Sequence, residues 1–175
     1  MTTFEDLVQL NCFAADEMTR QQAAATLERD YTCEINCVEI DPSVQFAHHG
    51  RGCTIAAAKI AANAVIFQNV TIGSNQKFNL RTQQWEQVGG PVIGRSVIVA
   101  DGAKVLGPII IGDNSIVGAG TIVTKDVPAN SVVYGVNQVK PRPTDYDLIY
   151  HRPFPNRSSI VEACEENIRR YEENY

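Results

Sequence analysis

The side chains best suited to acid–base chemistry in this chain are its three histidines, His48, His49 and His151. An imidazole titrates near neutral pH, so the neutral ring can take a proton from a hydroxyl or an amine and later return it to a leaving group. His48 and His49 are adjacent, and they interrupt an otherwise regular pattern of apolar residues. A lone histidine is more often a structural residue, but a pair at such an interruption favours a catalytic base.

The regular pattern is an apolar residue at every sixth position. It runs through Ile93, Val99, Val105, Ile111, Val117 and Val123, and an earlier tract contains Ile60, Ile66 and Ile72. A second, mostly smaller residue stands two positions before each of these. Residues two apart share a face of an extended strand, so both members of a pair should point inward. This period excludes an α-helix, in which apolar positions recur about every 3.6 residues.

Six residues that form one short strand and one corner, stacked in threes, predict a triangular solenoid. Each coil of such a solenoid buries its apolar edge against the coils above and below. Gly94, Gly112 and Gly118 each follow one of the aliphatic residues, where a residue without a Cβ can turn a corner. An ordinary β-sandwich is the weaker alternative, because its strands do not recur at a fixed interval of six.

A long polar segment interrupts the repeat between Ile72 and Ile93. We expect residues 74–90 to leave the solenoid as an extruded loop, and long loops on repeat scaffolds are commonly functional. The loop contains two large aromatic side chains, Phe78 and Trp85. We expect it to cover the site, with one of these aromatics offering apolar area to a ligand.

The ends of the chain differ from the repeat. Thr19 and Gln22 can form a capping box, and the alanines that follow favour helix, so a helix is predicted from about Thr19 to Asp30. The sequence therefore predicts three parts: a helical segment over 1–38, the solenoid over 39–136, and a connector with a final helix over 137–175.

The last of these parts begins with a proline-rich stretch from Lys140 to Pro155, which cannot form a helix or a central strand. Ser159 and Glu162 can form a second capping box. An apolar stripe then predicts an amphipathic helix from about Ser159 to Tyr171. We expect the extended connector to let this helix pack elsewhere, for example on a neighbouring subunit.

Composition limits the possible partners and the compartment. The formal net charge is −5 and no basic block is present, which argues against nucleic acid as a partner. No apolar run is long enough to span a membrane, and the first ten residues lack the pattern of a signal peptide, so a cytoplasmic location without membrane contact is expected. The five cysteines show no zinc-site spacing and are expected to be free thiols.

The repeat, the histidine segment, the extruded loop and the ending DVPANSVV follow one another in an order that resembles the hexapeptide-repeat acyltransferases, most closely the serine O-acetyltransferases. The likeness covers roughly Glu39 to Val136. It implies a left-handed parallel β-helix, a homotrimer with sites at the subunit interfaces, and acetyl-CoA as donor. The implied activity is transfer of an acetyl group to a hydroxyl or amine of a small acceptor, such as an amino acid or a sugar.

The resemblance also implies the catalytic residues. The catalytic histidine of the family lies in a segment of the form Asp-His-Gly/Ala-Thr-Gly, and His49 is the matching residue in segment 48–52. Glu39 matches the acidic residue that orients this histidine, fixing its tautomer and stabilising the imidazolium. The chain is about one turn shorter than the family pattern between these two residues. Asp41 therefore competes with Glu39 for the orienting role.

The positions that the resemblance assigns to the donor are Gly73, Asp101, Gly118, Ala119, Lys125 and Lys140. Gly73 matches a backbone amide that can meet the thioester oxygen. Gly118 and Ala119 match small residues beside the pantetheine arm, and Asp101 stands where the family often has a small residue. Lys125, and either Lys140 or Arg142, could contact the phosphates of the cofactor.

The candidate acceptor-binding residues are His48, Asp41, Arg81 and Trp85. Serine acetyltransferases carry in the extruded loop a second histidine, preceded by an arginine, that helps to hold the serine carboxylate. This loop contains Arg81 and no histidine. The resemblance therefore extends to acyl transfer rather than to the recognition of L-serine, and the acceptor is left open.

Two other functions occur for the same kind of solenoid. The γ-type carbonic anhydrases bind a metal with three histidines, but His48 and His49 as strand neighbours would point to opposite faces and His151 lies beyond the solenoid, so no metal is expected. A β-helix can also serve only as a scaffold or binding module. The coincidence of the histidine pair with a long loop one coil away argues against that alternative.

Overall fold

A computed structural model of the chain describes residues 2–74, 76–86, 88–145 and 157–174. Its compact units are residues Met1–Arg142 and Pro143–Tyr175. The elements of the first unit are α1 (Phe4–Phe13), α2 (Glu17–Tyr31), β1 (Glu34–Ile35), β2 (Glu39–Ile40), β3 (Gln45–Phe46), β4 (Thr54–Ile55), β5 (Lys59–Ile60), β6 (Val65–Ile66), β7 (Thr71–Gly73), β8 (Lys77–Asn79), β9 (Gln84–Glu86), β10 (Val92–Ile93), β11 (Ile98–Val99), β12 (Lys104–Leu106), β13 (Ile110–Ile111), β14 (Ile116–Val117), β15 (Ile122–Val123), β16 (Ser131–Tyr134) and β17 (Gln138–Pro141).

Three sheets of short strands form the sides of a triangular coil. Sheet A contains β1, β4, β7, β12 and β15; sheet B contains β2, β5, β10 and β13; sheet C contains β3, β6, β11, β14, β16 and β17. The chain visits the sheets in turn, and strands within a sheet pair in parallel except for β16 with β17. The predicted solenoid of six-residue units is confirmed. Its first strand begins at Glu34, ahead of the predicted start at residue 39.

The residues of the six-residue pattern fill the centre of the coil. All nine aliphatic residues of the pattern have no exposed surface. They lie above one another because the strands pair in register, as with Ile60, Ile93 and Ile111 in sheet B. Burial of one such side chain contributes about 1.5–3 kcal/mol, so the stacked ladders are the main source of stability in a fold whose strands are only two to four residues long.

The corners are tighter than the sequence pattern suggested. A Cβ on Gly94 would lie 2.8 Å from the Ile111 carbonyl oxygen, and one on Gly112 would lie 2.4 Å from the Ala129 amide nitrogen. These glycines are required by the close approach of the next coil rather than by their own dihedral angles. Residues with positive φ at the corners are often asparagines, such as Asn63 with a φ of 59°. Asparagine adopts this conformation more readily than most residues.

Two helices precede the coil, where one was predicted. Thr3 and Asp6 form a capping box at the start of α1. The N-cap of α2 is Asp16, whose carboxylate accepts a hydrogen bond from the Thr19 amide at 2.8 Å. The predicted cap at Thr19 is therefore wrong, because the aspartate three residues earlier satisfies that amide. The apolar face of α1 and the buried Leu27 of α2 join the core of the coil.

The segment between β7 and β10 leaves the coil, as predicted, and forms a hairpin of β8 and β9, residues 77–86. After β15 the chain returns along sheet C, where the antiparallel β17 forms the edge strand and accommodates Pro141.

The second unit contains α3 (Arg157–Asn174), which begins before the predicted Ser159. The remainder of the predicted connector and His151 lie outside the described residues. None of the described helices is long and apolar enough to cross a bilayer.

Candidate active site

The histidine pair lies in a turn with left-handed backbone at the corner where sheet C leads into sheet A. Residues 47–50, here called the histidine turn, directly follow β3. The φ and ψ angles are 53° and 34° at His48, and 58° and 31° at His49. The premise that the two residues are strand neighbours is therefore wrong. Residues 47–53 connect β3 to β4, whereas only residues 67–70 connect β6 to β7 at the corresponding corner, so the histidine turn lies in an enlarged corner.

This conformation is costly for residues that carry a side chain. A non-glycine residue in the left-handed region costs about 1–2 kcal/mol, although histidine adopts it more often than most. Among the described residues, His48 and His49 are the only adjacent non-glycine residues with positive φ. Strain of this kind is found where a side chain must be aimed at a ligand or a reacting group.

Gly50 completes the left-handed run, with a φ of 55°. A Cβ at this position would lie 3.0 Å from the Cys33 Sγ atom and 3.4 Å from both the Phe4 and the Phe46 rings. The turn is thus packed tightly onto the start of α1 and the first coil, which fixes the two histidines relative to the N-terminal helices.

The imidazole of His49 packs against aromatic side chains from both N-terminal helices. Its ring centroid lies 5.5 Å from that of Phe4 and 5.8 Å from that of Tyr31. Phe4 is itself buried and contacts Tyr31 edge-on at 5.0 Å. His49 is half-buried. These contacts hold the ring plane while leaving part of the imidazole open to a ligand.

The imidazole of His48 has different surroundings. It is exposed, and its ring centroid lies 6.1 Å from that of Phe67, which belongs to the next coil. Within the part of the chain that the structure describes, neither histidine side chain has a hydrogen-bond partner. The two rings therefore point to different environments, and each has nitrogen atoms available to a ligand.

The two acidic candidates lie elsewhere in the same chain. Glu39 is on sheet B, where its carboxylate binds the Lys59 ammonium at 2.8 Å, and this hydrogen bond lowers the pKa of the carboxyl group. Asp41 accepts hydrogen bonds from the Ser43 hydroxyl at 2.6 Å and the Ser43 amide at 2.9 Å, which lower its pKa likewise. The structure does not bring either carboxylate to the histidine turn, because that turn lies between sheets C and A. Both carboxylates instead line a groove of about 550 Å³ along sheet B.

Several of the donor-site candidates stack above the histidine turn. The register of sheet C places Phe46, Ile66, Val99 and Val117 in one column, so the residues just after them share the histidine corner. Asp101, Gly118 and Ala119 lie there. The Asp101 carboxylate accepts a hydrogen bond from the Asn69 side chain at 3.1 Å.

Lys140 joins this corner from the neighbouring strand. Its ammonium lies 5.4 Å from the centroid of the Tyr134 ring. The Tyr134 Cβ in turn lies 3.8 Å from the point where a Cβ of Gly118 would be. A narrow column of small residues with a cation beside it therefore runs up the histidine corner.

The remaining candidates lie at the opposite end of the sheet A strands. Gly73 ends β7, and its carbonyl oxygen accepts a hydrogen bond from the Gly107 amide at 2.9 Å. The exposed Lys125 follows β15 at the same corner, from which the hairpin also projects. Arg81 is at the hairpin turn. The Trp85 side chain is 64% exposed and contacts Phe78 at 5.2 Å between ring centroids.

The aromatic surroundings of His49 were missed by sequence reasoning. Phe4 and Tyr31 lie outside the repeat. The capping box of Thr3 and Asp6 could have indicated the helix that presents Phe4, and the predicted helix to Asp30 ends next to Tyr31. The described residues contain no group of three or more histidine, cysteine or acidic side chains placed to bind a metal ion.

Comparison with known proteins supports the fold. Residues 90–125 match the bacterial transferase hexapeptide repeat (six repeats). The chain is 37% identical over 105 residues to the serine acetyltransferase of Bacillus pumilus, covering 57% of this chain and 45% of that protein. It is 35% identical over 128 residues to the serine acetyltransferase of Mycobacterium tuberculosis, covering 66% of this chain and 52% of that protein. The chain thus spans about half the length of these curated relatives.

A solved structure is similar to this chain in fold, at lower sequence identity. The serine acetyltransferase of Brucella abortus in complex with coenzyme A superimposes with a TM-score of 0.58 at 24% identity, covering 78% of this chain and 54% of that chain. The fold is therefore the left-handed parallel β-helix of these proteins, as predicted.

Proposed function

We propose that this chain is an acetyltransferase that uses acetyl-CoA and a small hydroxyl- or amine-bearing acceptor. The chain carries the hexapeptide repeat of bacterial transferases and is similar to serine acetyltransferases. The observation that carries the proposal is His49 in a strained, tightly packed turn at the foot of the column that contains Gly118 and Ala119. The relative of known structure from Brucella abortus binds coenzyme A, which supports the choice of donor.

His49 would act as general base. Its neutral imidazole takes the proton of the acceptor hydroxyl or amine as the acceptor oxygen or nitrogen forms a bond to the acetyl carbonyl carbon. The C–S bond of the thioester then breaks, and the imidazolium returns the proton to the CoA thiolate. Packing against Phe4 and Tyr31 would fix the ring during both transfers. His48, on the open side of the turn, would face the acceptor.

The proposed site needs two chains. In one chain the histidine turn and the hairpin lie at opposite ends of the sheet A strands. Gly73 as an oxyanion donor, Lys125 as a phosphate contact, and Arg81 and Trp85 as acceptor contacts would therefore reach His49 only from a neighbouring subunit. An orienting role for Glu39 or Asp41 has the same requirement.

A homotrimer would meet this requirement. Several large apolar side chains of the later coils are exposed: Leu106, Ile110, Ile122, Tyr134, Val136 and Val139. Large apolar side chains exposed on these coils are available for contact with another protein surface. A cyclic arrangement of three chains would place the hairpin of each beside the histidine corner of the next. The use of acetyl-CoA and the presence of five unpaired cysteines favour a reducing, cytoplasmic compartment.

The test is release of the CoA thiol from acetyl-CoA in the presence of a panel of amino acids, hydroxy acids, sugars and amino sugars. The proposal predicts acceptor-dependent thiol release and a product that is heavier than the acceptor by one acetyl group. A non-catalytic scaffold would give no release above the rate of spontaneous hydrolysis with any member of the panel. Bound metal in stoichiometric amount, with carbon dioxide hydration, would instead support the γ-type carbonic anhydrase alternative.

A further inference from the structure

Arg51, two residues after His49, carries a charge that the rest of the described chain does not neutralise. Its side chain is exposed, and its guanidinium carbon lies 5.8 Å from the centroid of the Tyr31 ring. The described residues supply no carboxylate partner for it. By contrast, four other arginines bind carboxylates of the same chain: Arg20, Arg29, Arg95 and Arg169.

The backbone of Arg51 is fixed. Its carbonyl oxygen accepts a hydrogen bond from the Asn69 amide at 2.8 Å. It lies between Gly50 and Gly52, whose φ angles are 55° and 71°. A Cβ on Gly52 would lie 2.5 Å from the Asn69 side-chain oxygen, so the chain has little freedom on this side. The guanidinium is therefore presented from an anchored position.

The same Tyr31 ring contacts both the base and the cation. The His49 ring centroid lies 5.8 Å from it, and the Arg51 guanidinium lies 5.8 Å from it. The imidazole centroid and the guanidinium carbon are thus no more than about 12 Å apart, and both groups contact the same Tyr31 side chain. An unpaired guanidinium presents two parallel N–H groups, which match the two oxygens of a carboxylate.

We propose that Arg51 binds a carboxylate of the acceptor while His49 takes the proton from its hydroxyl or amine. This inference rests on the proposed acetyl transfer and specifies its acceptors as small hydroxy or amino acids rather than neutral sugars. Arg51 would then bind the acceptor carboxylate in place of the histidine that the hairpin does not contain. Tyr31 is a positioning residue, since it holds the guanidinium and the imidazole on one ring.

The test compares acceptors that differ only in charge: L-serine with L-serinamide, and L-threonine with L-threoninamide. Arg51→Gln should lower kcat/KM for the carboxylate acceptors by about 10- to 100-fold, the usual worth of a hydrogen bond to a charged group, with less than about threefold change for the amides. For Arg51→Lys, kcat/KM with the carboxylate acceptors should lie between the values of the wild type and Arg51→Gln. Tyr31→Phe, which keeps the ring, should retain the preference for carboxylate over amide acceptors. Arg29→Gln, on the exposed side of α2, is the matched control and should leave kcat/KM unchanged for both the carboxylate and the amide acceptors.

An equal loss of kcat/KM for carboxylate and amide acceptors in Arg51→Gln would overturn the inference. The arginine would then affect the conformation of the turn rather than the recognition of acceptor charge. Binding separates this result from a failure of the proposed function. NMR titration of the His49 ring with L-serine and L-threonine should show at least tenfold weaker binding in Arg51→Gln than in the wild type, whether or not turnover is observed. Equal binding of these two probes by both proteins would also overturn it.

Discussion

His49 combines features that a solvated surface histidine does not need. Its backbone is held in the left-handed region, its ring contacts two aromatic side chains, and its ring nitrogens have no hydrogen-bond partner among the described residues. The packing of Gly50 onto α1 and the first coil offsets the cost of this backbone conformation. A ring that is fixed in position but unsatisfied in hydrogen bonding suits a group that must bind and release a proton.

Replacement of His49 tests its role as general base. We expect His49→Ala to lower kcat by about two to four orders of magnitude, the usual contribution of a positioned base, while CoA affinity and assembly persist. Steady-state thiol release and a CoA binding isotherm measure the two quantities. Glu39→Gln should cost less than His49→Ala, because misorientation leaves the base present.

His48→Ala is the matched control, since the same turn presents it to solvent instead of to the aromatic cluster. Its loss of kcat should be much smaller. If His48→Ala abolished turnover while His49→Ala stayed active, the roles of the two residues would be exchanged, although the proposed reaction would survive.

Gly50→Ala should destabilise the fold through two separable effects. The positive φ is strained for alanine, and the added Cβ would lie 3.0 Å from the Cys33 Sγ atom. We expect a loss of about 2–4 kcal/mol in the free energy of unfolding, measured by urea denaturation. Gly120→Ala is the control, because Gly120 has a φ of 64° and open space around its Cβ position. It should cost about 1–2 kcal/mol from the backbone alone, and equal losses for the two variants would show that the contact with Cys33 is unimportant.

The cysteines should differ widely in reactivity. Burial raises the pKa of Cys33 to about 12 and that of Cys37 to about 11, whereas Cys164 is exposed on α3. Because the thiolate is the reactive form, Cys33 and Cys37 should resist maleimide at pH 7–8, and their labelling should accelerate only as the pH rises toward these values. Mass spectrometry of labelled peptides should find Cys164 modified first. Rapid labelling of Cys33 or Cys37 in the native protein would contradict the packing described here.

At the scale of elements, the six-residue period was sufficient to predict the coil. Inward positions of a β-helix must be apolar in every coil. The buried positions can therefore be recognised in the sequence as a repeat of apolar residues, from Ile60 to Val123. The departure of residues 74–90 from the coil was equally predictable, because a polar segment cannot enter that core. The pairing of β8 with β9 in this segment was not predicted.

The elements outside the repeat were predicted less well. Helix α1 carries a readable capping box and the apolar spacing Phe4, Leu7 and Val8, but it was missed. The left-handed turn at His48 and His49 could not be inferred from local sequence, because packing against α1 and hydrogen bonds to neighbouring segments hold it in place. Tertiary structure also places Tyr31 of α2 beside His49 and Arg51, so this part of the site could not be predicted from the sequence.

The hairpin is the element whose role is most open to direct test. Its aromatic pair, Phe78 and Trp85, is largely exposed, as suits a surface that covers a ligand or a neighbouring chain. Deletion of residues 76–87 should impair turnover while the coil remains folded, because β8 and β9 pair only with each other among the described strands. Circular dichroism and thiol release provide the two readouts. Unchanged kinetics would exclude a role of the hairpin as a lid.

At the scale of the whole molecule, one chain carries the two halves of the proposed site at two different corners. The histidine corner contributes His49, Arg51 and the column of small residues, and the hairpin corner contributes Gly73 and the hairpin. The strands of the coil belong to one compact unit, in which these corners lie at opposite ends of the sheet A strands. The proposed cyclic trimer would bring the two corners of neighbouring chains together without any conformational change, and it would have three equivalent sites.

Subunit mixing tests this arrangement and the role of His49 together. Trimers of His49→Ala and trimers that lack residues 76–87 should each be nearly inactive. If they are unfolded, mixed in equal amounts and refolded, an active site forms wherever an intact histidine corner meets an intact hairpin, which random cyclic assembly gives at about a quarter of the interfaces. The account predicts recovery of about a quarter of the wild-type rate of thiol release from acetyl-CoA. Mixed trimers as inactive as their parents would contradict it.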